Sequence, residues 1–254
     1  MKRWLLYGLT LLLVYILLPV QEPLAEEVAT VPAWLRPPAH VLEAFTGVFP
    51  VWAVIYDPAK GPLPDKTVLV LPFIATGAII NGALIIAAHV IDNQIDGDKR
   101  MVQKTGEVYL KGLLPFTLTF VNPTTDVAVF LSDRLTPLPT KLTLRVGRPV
   151  DQELVWWICR GGFLENEWSV GRVLGDVPPH GSNRVPLYLI NPLLGGNHPG
   201  CSGAPLLNSM GRVVGVIKSL NTGGSLLNAL AIRGSEIAAA IADARKAVAL
   251  SDPQ

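Results

Sequence analysis

Residues 77–89 read Gly-Ala-Ile-Ile-Asn-Gly-Ala-Leu-Ile-Ile-Ala-Ala-His. Two apolar runs flank the Asn81-Gly82 pair, and both residues of such a pair tolerate the positive φ that a tight hairpin turn requires. Asn-Gly between apolar runs is the strongest short-range signal for a β-hairpin. The stretch therefore predicts two antiparallel strands, 77–80 and 83–87, of which the second ends just before a histidine.

Short apolar runs between turn residues continue on both sides of this hairpin. They recur at a spacing of about ten residues, which is typical of an all-β barrel or sandwich. The other predicted strands are 48–56, 67–71, 108–111, 117–121, 127–131, 154–159, 169–174, 186–190, 204–207, 213–219 and 226–231. One helix is predicted over 235–249, with Ser235 as its N-cap and with Ile237, Ile241 and Val248 on its apolar face.

The composition of the chain excludes some classes of function. The chain has 254 residues, half of them hydrophobic, with 21 basic and 20 acidic side chains. This length allows one sizeable domain or two packed halves, and the balanced charge argues against a nucleic-acid partner. No Cys or His residues stand at zinc-like spacing, so we expect neither a metal site nor a cofactor.

The first residues have the pattern of a targeting segment. Lys2 and Arg3 precede an uncharged apolar run over 4–20, after which acidic residues appear. This pattern predicts that 1–25 is a secretory signal peptide or an uncleaved membrane anchor through 4–20, with a buried core helix as a third reading. In the first two cases the rest of the chain is exported, to the periplasm or the cell exterior. Four prolines over 22–38 predict an extended Pro-rich linker, taken as 26–45.

Three polar residues stand in local patterns that fit one chemistry. His89 follows an apolar strand, Asp126 opens another, and Ser202 lies in a tight turn between Gly200 and Gly203. Each pattern is weak alone, but the order His, Asp, Ser on an all-β background predicts an activated serine nucleophile. The histidine would take the hydroxyl proton, and the carboxylate would orient the imidazole.

Three segments resemble motifs of the trypsin-like serine peptidases, most closely the peptidase domain of the HtrA-type (Deg) proteases. They are Ala87-Ala88-His89, Asp126-Val127-Ala128-Val129 and Gly200-Cys201-Ser202-Gly203-Ala204-Pro205. The resemblance implies two packed antiparallel β-barrels with a C-terminal helix. Its bounds are 46–250 for the peptidase domain, about 46–140 for the first barrel, about 150–232 for the second and about 235–249 for the helix. The chain stops too soon for a following PDZ domain, so we expect it to lack one.

The resemblance also implies roles for single residues. His89, Asp126 and Ser202 would form a catalytic triad that cleaves peptides or proteins through an acyl-enzyme on the serine. Backbone N–H groups of Gly200 and Ser202 would form the oxyanion hole. The expected lining of the substrate pocket is Gly196, Lys218, Ser219 and Leu220. With no acidic residue at 196, we expect small or medium apolar side chains at the cleaved position.

Two departures from the family motif affect the nucleophile loop. Cys201 replaces the usual Asp or Asn, and Ala204 replaces a second Gly. The resemblance places Cys159 near this loop, so the cysteines either form a disulfide that clamps it or remain two free thiols. A Cys201 nucleophile is disfavoured by the positions of Gly203 and Pro205 relative to Ser202. The alternative function is a catalytically weak or inactive binding or scaffold domain on the peptidase fold, outside the cytoplasmic membrane. An acyl hydrolase would need Gly-x-Ser-x-Gly, which is absent, and the oligomeric state is not predicted.

Overall fold

The computed structural model describes residues 31–56, 67–90, 106–110, 116–117, 119–131, 142–161, 168–179, 184–195, 200–221 and 228–251. The chain divides into two units, 1–36 and 37–254, and a three-ten turn at Ala33–Leu35 is the described element of the first. The predicted signal peptide or anchor lies outside the described residues. Within the described part of the chain, no helix has both the length and the apolar character needed to cross a membrane.

A short helix occupies part of the segment predicted as a linker. Helix α1, Ala39–Ala44, runs directly into a three-ten turn at Phe45–Gly47. Val41, Ala44 and Phe45 are buried, because their spacing places all three side chains on one face of the helix. From residue 37 onward, the predicted linker 26–45 therefore belongs to the compact unit.

The first half of the compact unit is a seven-stranded antiparallel sheet. Its strands are β1 Val48–Tyr56, β2 Thr67–Ile80, β3 Ala83–Ala87, β4 Gly106–Leu110, β5 Phe116–Thr117, β6 Phe120–Asn122 and β7 Val127–Phe130. The strand order is β5-β4-β1-β2-β3-β7-β6. Asn81 and Gly82 turn between β2 and β3 with φ values of 49° and 77°, as the hairpin signal predicts.

Two strand predictions in this sheet need correction. The predicted strands 67–71 and 77–80 are parts of one strand, β2, which pairs with β1 on both sides of an irregularity between Leu71 and Ala75. The predicted strand 117–121 is instead divided between β5 and β6.

The second half is a closed six-stranded barrel. Its strands are β8 Leu154–Ile158, β9 Trp168–Val177, β10 Leu187–Leu194, β11 Pro205–Leu207, β12 Val213–Asn221 and β13 Asn228–Arg233. They run in the order β10-β13-β12-β11-β8-β9, and β9 pairs with β10 to close the barrel. Trp157, Ile190 and Val214 lie in its buried core. Closure pairs each of these six strands on both sides, so none of them is an edge strand.

Helix α2, Gly234–Ser251, follows the last barrel strand. It packs against β6 and β7 of the first sheet and against β12 and β13 of the barrel. Ile237 and Ile241 are buried as predicted, but Val248 is 43% exposed, so it lies off the packed face. Ser235 is not the N-cap, because the helix already begins at Gly234.

Candidate active site

His89 owes its position to the pairing of two strands. β3 pairs with β7, with Ala87 opposite Val127, so the end of β3 lies beside the start of β7. A three-ten turn, Ala88–Val90, then carries His89 past the end of the sheet. The histidine that follows β3 and the aspartate that precedes β7 are neighbours for this reason.

Asp126 is bound to the histidine segment by three hydrogen bonds. Its carbonyl oxygen accepts from the Ala88 N–H at 2.9 Å. Its Oδ1 accepts from the His89 N–H at 2.7 Å, and its Oδ2 lies 2.8 Å from His89 Nδ1. The carboxylate is therefore fixed against both the backbone and the ring of His89.

The backbone of Asp126 adopts an uncommon conformation, with φ of 61°. Asp tolerates this left-handed region better than most residues do. The preceding turn is held by Asn122 Oδ1, which accepts from the N–H groups of Thr124 at 3.0 Å and Thr125 at 3.2 Å. Such a side-chain turn positions the chain for the backbone conformation at Asp126.

Ser202 completes a continuous line of polar contacts. Its Oγ lies 3.0 Å from His89 Nε2 and 3.2 Å from the carbonyl oxygen of Lys218. Gly200 and Gly203 on either side have φ values of 104° and 95°. These values favour glycine, and a Cβ at 203 would also collide with the carbonyl oxygen of Thr76.

Thr76 joins the first sheet to the loop that carries Ser202. Its N–H donates to the Ser202 carbonyl at 3.0 Å, and its Oγ1 donates to the Gly200 carbonyl at 2.7 Å. The same Oγ1 accepts from the N–H groups of Arg160 at 2.8 Å and Gly161 at 3.2 Å. Thr76 was not among the predicted site residues. The available signal was a hydroxyl within an otherwise apolar buried strand segment.

The two cysteines are joined, in contrast to the alternative of two free thiols. Cys159 and Cys201 form a disulfide with a Cα–Cα distance of 4.6 Å, and each residue is 1% exposed. Cys159 follows β8, so the bond attaches the nucleophile loop to the barrel. A bonded sulfur is not a thiolate, which removes Cys201 as a nucleophile in this state.

The predicted oxyanion donors lie on either side of the bonded cysteine. Among the residues that the structure describes, none accepts a hydrogen bond from the N–H of Gly200 or of Ser202. Two N–H groups in one loop, beside a serine hydroxyl, can bind a developing negative charge on a substrate oxygen. Within the same described part, no group of three His, Cys, Asp or Glu side chains could hold a metal ion.

Lys218 was expected to line the substrate pocket, but its side chain contacts the catalytic aspartate candidate instead. Its ammonium lies 3.6 Å from Asp126 Oδ2, and its side chain is only 15% exposed. Ser219 and Leu220 continue β12. Gly196 lies outside the described residues, so the pocket stays a prediction.

Solved protease structures have the same fold. The Rv3671c protease from M. tuberculosis, in its active form, matches with a TM-score of 0.58 at 22% identity, over 84% of this chain and 86% of that chain. The HtrA-type protease AlgW, solved with a decapeptide, matches with a TM-score of 0.55 at 18% identity, over 82% of this chain and 67% of that chain. No protein-family model matches the chain, and no curated protein does.

These comparisons establish the fold. The protein has the chymotrypsin-like fold, in which two β-domains pack together, and its structural neighbours are serine proteases of the HtrA and Rv3671c kinds. The predicted fold class is therefore confirmed. At 22% and 18% identity, the likeness extends to the architecture alone.

Proposed function

We propose that this protein is a serine endopeptidase that hydrolyses peptide bonds through an acyl-enzyme on Ser202. One observation carries the proposal: the hydrogen-bonded line from Asp126 through His89 to Ser202. Its two distances are 2.8 Å and 3.0 Å, within hydrogen-bonding range of both ring nitrogens. A serine hydroxyl next to such an oriented imidazole is an activated nucleophile.

The geometry supports a two-stage reaction. His89 Nε2 takes the proton as Ser202 Oγ attacks the peptide carbonyl carbon, and Asp126 stabilises the imidazolium that forms. The N–H groups of Gly200 and Ser202 bind the resulting oxyanion. The C–N bond then breaks, and the leaving amine receives the proton from His89. Water, deprotonated by the same imidazole, hydrolyses the acyl ester and restores the Ser202 hydroxyl.

The substrate we propose is a peptide or protein. The likeness to AlgW, a protease solved with a decapeptide, supports a peptide ligand for this fold. We propose a preference for small or medium apolar side chains at the cleaved position, since Gly196 introduces no acidic group. The side chain of Lys218 is engaged with Asp126, so its ammonium is not free to bind an acidic side chain of a substrate.

We further propose that the protein acts outside the cytoplasmic membrane, in the periplasm or beyond. The support is the sequence of 1–25, either a cleaved signal peptide or an anchor through 4–20. The disulfide between Cys159 and Cys201 is also consistent with export, because disulfides persist in oxidising compartments.

A serine-directed fluorophosphonate probe tests the activity. Wild-type protein is expected to react at Ser202, and Ser202→Ala is expected to remove the label. Ser209→Ala is the matched control, since Ser209 is an exposed serine in the same half of the molecule and should leave labelling unchanged. Asp126→Asn is expected to lower the rate by about 10⁴-fold through loss of the correct imidazole tautomer.

Two outcomes would reject the proposal. A folded wild type that takes no label would favour the alternative of an inactive binding domain on the peptidase fold. A label that persists in Ser202→Ala would place the nucleophile elsewhere. Cleavage of a peptide library at internal bonds, read by mass spectrometry, then separates an endopeptidase from an esterase.

A further inference from the structure

Lys218 contacts both ends of the hydrogen-bonded line at the active site. Its carbonyl oxygen lies 3.2 Å from Ser202 Oγ, and its ammonium lies 3.6 Å from Asp126 Oδ2. We propose that Lys218 is a positioning residue of the triad, whose ammonium shares the charge of Asp126 and thereby extends activity to lower pH. This inference rests on the proposed peptidase function.

An irregularity in β12 gives Lys218 these two contacts. Ile217 pairs with Ala231 and Ser219 pairs with Leu230, so Lys218 is the extra residue between two consecutive pairs with β13. A bulged residue of this kind is left out of the strand ladder, and bulges redirect side chains next to active sites. The bulge frees the Lys218 carbonyl for Ser202 and directs its side chain to Asp126.

The ion pair between Lys218 and Asp126 is largely shielded from water. The side chain of Lys218 is 15% exposed and that of Asp126 is 7% exposed. An ammonium at this depth is stable only beside an opposite charge, and the carboxylate has the same requirement. Each group therefore holds the other in place.

The charge arrangement has a consequence for His89. Among the residues with a described position, three titratable groups meet here from three elements: His89 from the turn after β3, Asp126 from the turn before β7, and Lys218 from β12. Asp126 Oδ2 contacts both the imidazole and the Lys218 ammonium. The ammonium attracts Asp126 and repels any positive charge that forms on the ring, so its removal would change the charge around the imidazole during proton transfer.

Lys218 is not assigned a proton-transfer step. Its ammonium contacts a carboxylate, and only its backbone carbonyl touches the serine hydroxyl. It would act through Asp126, which distinguishes it from a catalytic base.

The test compares Lys218→Met, Lys218→Gln and Lys218→Arg with wild type over pH 4 to 9. The readouts are the rate of fluorophosphonate labelling and the NMR titration of the His89 ring. Both neutral variants are expected to move the acid limb of the labelling rate, and the titration of His89, to higher pH by about half to one unit. Lys218→Arg keeps the charge and is expected to stay near wild type. Lys246→Met, which removes an exposed charge from α2, is the matched control.

The outcomes separate this inference from the proposed function. A wild type without labelling would reject the peptidase proposal, while the His89 titration still tests the electrostatic role of Lys218. An unchanged midpoint in both neutral variants, or a shift to lower pH, would overturn the inference. A lower maximal rate with an unmoved midpoint would also overturn it, because that is the result of a merely structural role. If Lys218→Met does not fold, Lys218→Gln supplies the same comparison.

Discussion

Thr76 shows how much of the nucleophile loop depends on one side chain. Its hydroxyl donates to one backbone carbonyl and accepts from two backbone N–H groups, and all of these partners lie in the second half of the molecule. The residue is fully buried. No water molecule could take the place of the hydroxyl unless a cavity formed there. Loss of the Thr76 hydroxyl would therefore leave its buried backbone partners without a hydrogen bond.

Thr76→Val keeps the shape of the side chain and removes these bonds. We expect the free energy of unfolding to fall by about 1–3 kcal/mol, the penalty for unsatisfied buried groups. We also expect the labelling rate of Ser202 to fall about tenfold or more, because the loop loses its attachment. Urea unfolding and probe kinetics measure the two effects. Thr76→Ser should restore both, and Thr46→Val serves as an exposed control. Full labelling by Thr76→Val would contradict the positioning role.

At the scale of elements, strands β9, β10 and β13 join a buried tyrosine to an ion pair that is partly exposed to solvent. Tyr188 of β10 is 3% exposed, and the Arg233 guanidinium lies 5.4 Å from the centre of its ring. Arg233 also pairs with Asp176 at 2.8 Å. Burial raises the pKa of the Tyr188 hydroxyl above its ordinary value of 10.0, with Arg233 opposing this rise and Asp176 adding to it.

The raised pKa predicts how stability depends on pH. Below the ordinary value of 10.0, Tyr188 is protonated in both the folded and the unfolded state and its contribution is fully present. As the pH rises further, the unfolded state releases the proton first, so the free energy of unfolding declines toward the folded-state pKa. Tyr188→Phe removes this contribution, and its stability should fall less steeply above pH 10. Urea unfolding of both proteins from pH 9 to 11 makes the comparison, and equal slopes would contradict the prediction.

Some secondary-structure elements could be predicted from local sequence, and others could not. The hairpin at Asn81 and Gly82 forms as predicted, because its turn conformation depends on those two residues. The continuous strand β2 could not be predicted, since it depends on pairing with β1 on both sides of an irregularity between Leu71 and Ala75. Helix α1 was also missed, because its few apolar positions form a helix only where they pack against the domain.

At the scale of the whole molecule, the disulfide constrains the unfolded chain. Cys159 and Cys201 are 42 residues apart in sequence. Closing a loop of this length stabilises a protein by about 2–4 kcal/mol, mainly by reducing the freedom of the unfolded state. The bond also connects β8 to the loop that carries Ser202, so it couples global stability to the candidate site.

The double variant Cys159→Ala/Cys201→Ala tests this coupling. We expect its free energy of unfolding to be lower by about 2–4 kcal/mol. We also expect its labelling rate to be lower, because the loop is no longer attached to the barrel. Reducing the wild type with dithiothreitol should reproduce both effects, whereas the variant should not respond to reductant. A reductant-sensitive variant would show that the effect comes from another source.

The sequence by itself determined the β-rich architecture, the hairpin, and the three residues that the structure places in one hydrogen-bonded line. These features follow from local patterns: short apolar runs, an Asn-Gly turn, and a serine between glycines that need positive φ.

Only the tertiary structure decided the contacts of Thr76 and Lys218. Thr76 meets Gly200 across 124 residues of sequence, and Lys218 reaches Asp126 from a bulge in a different half of the molecule. The physical reason is that such contacts depend on how two β-domains pack and where a strand ladder is interrupted. No short stretch of sequence specifies either of these.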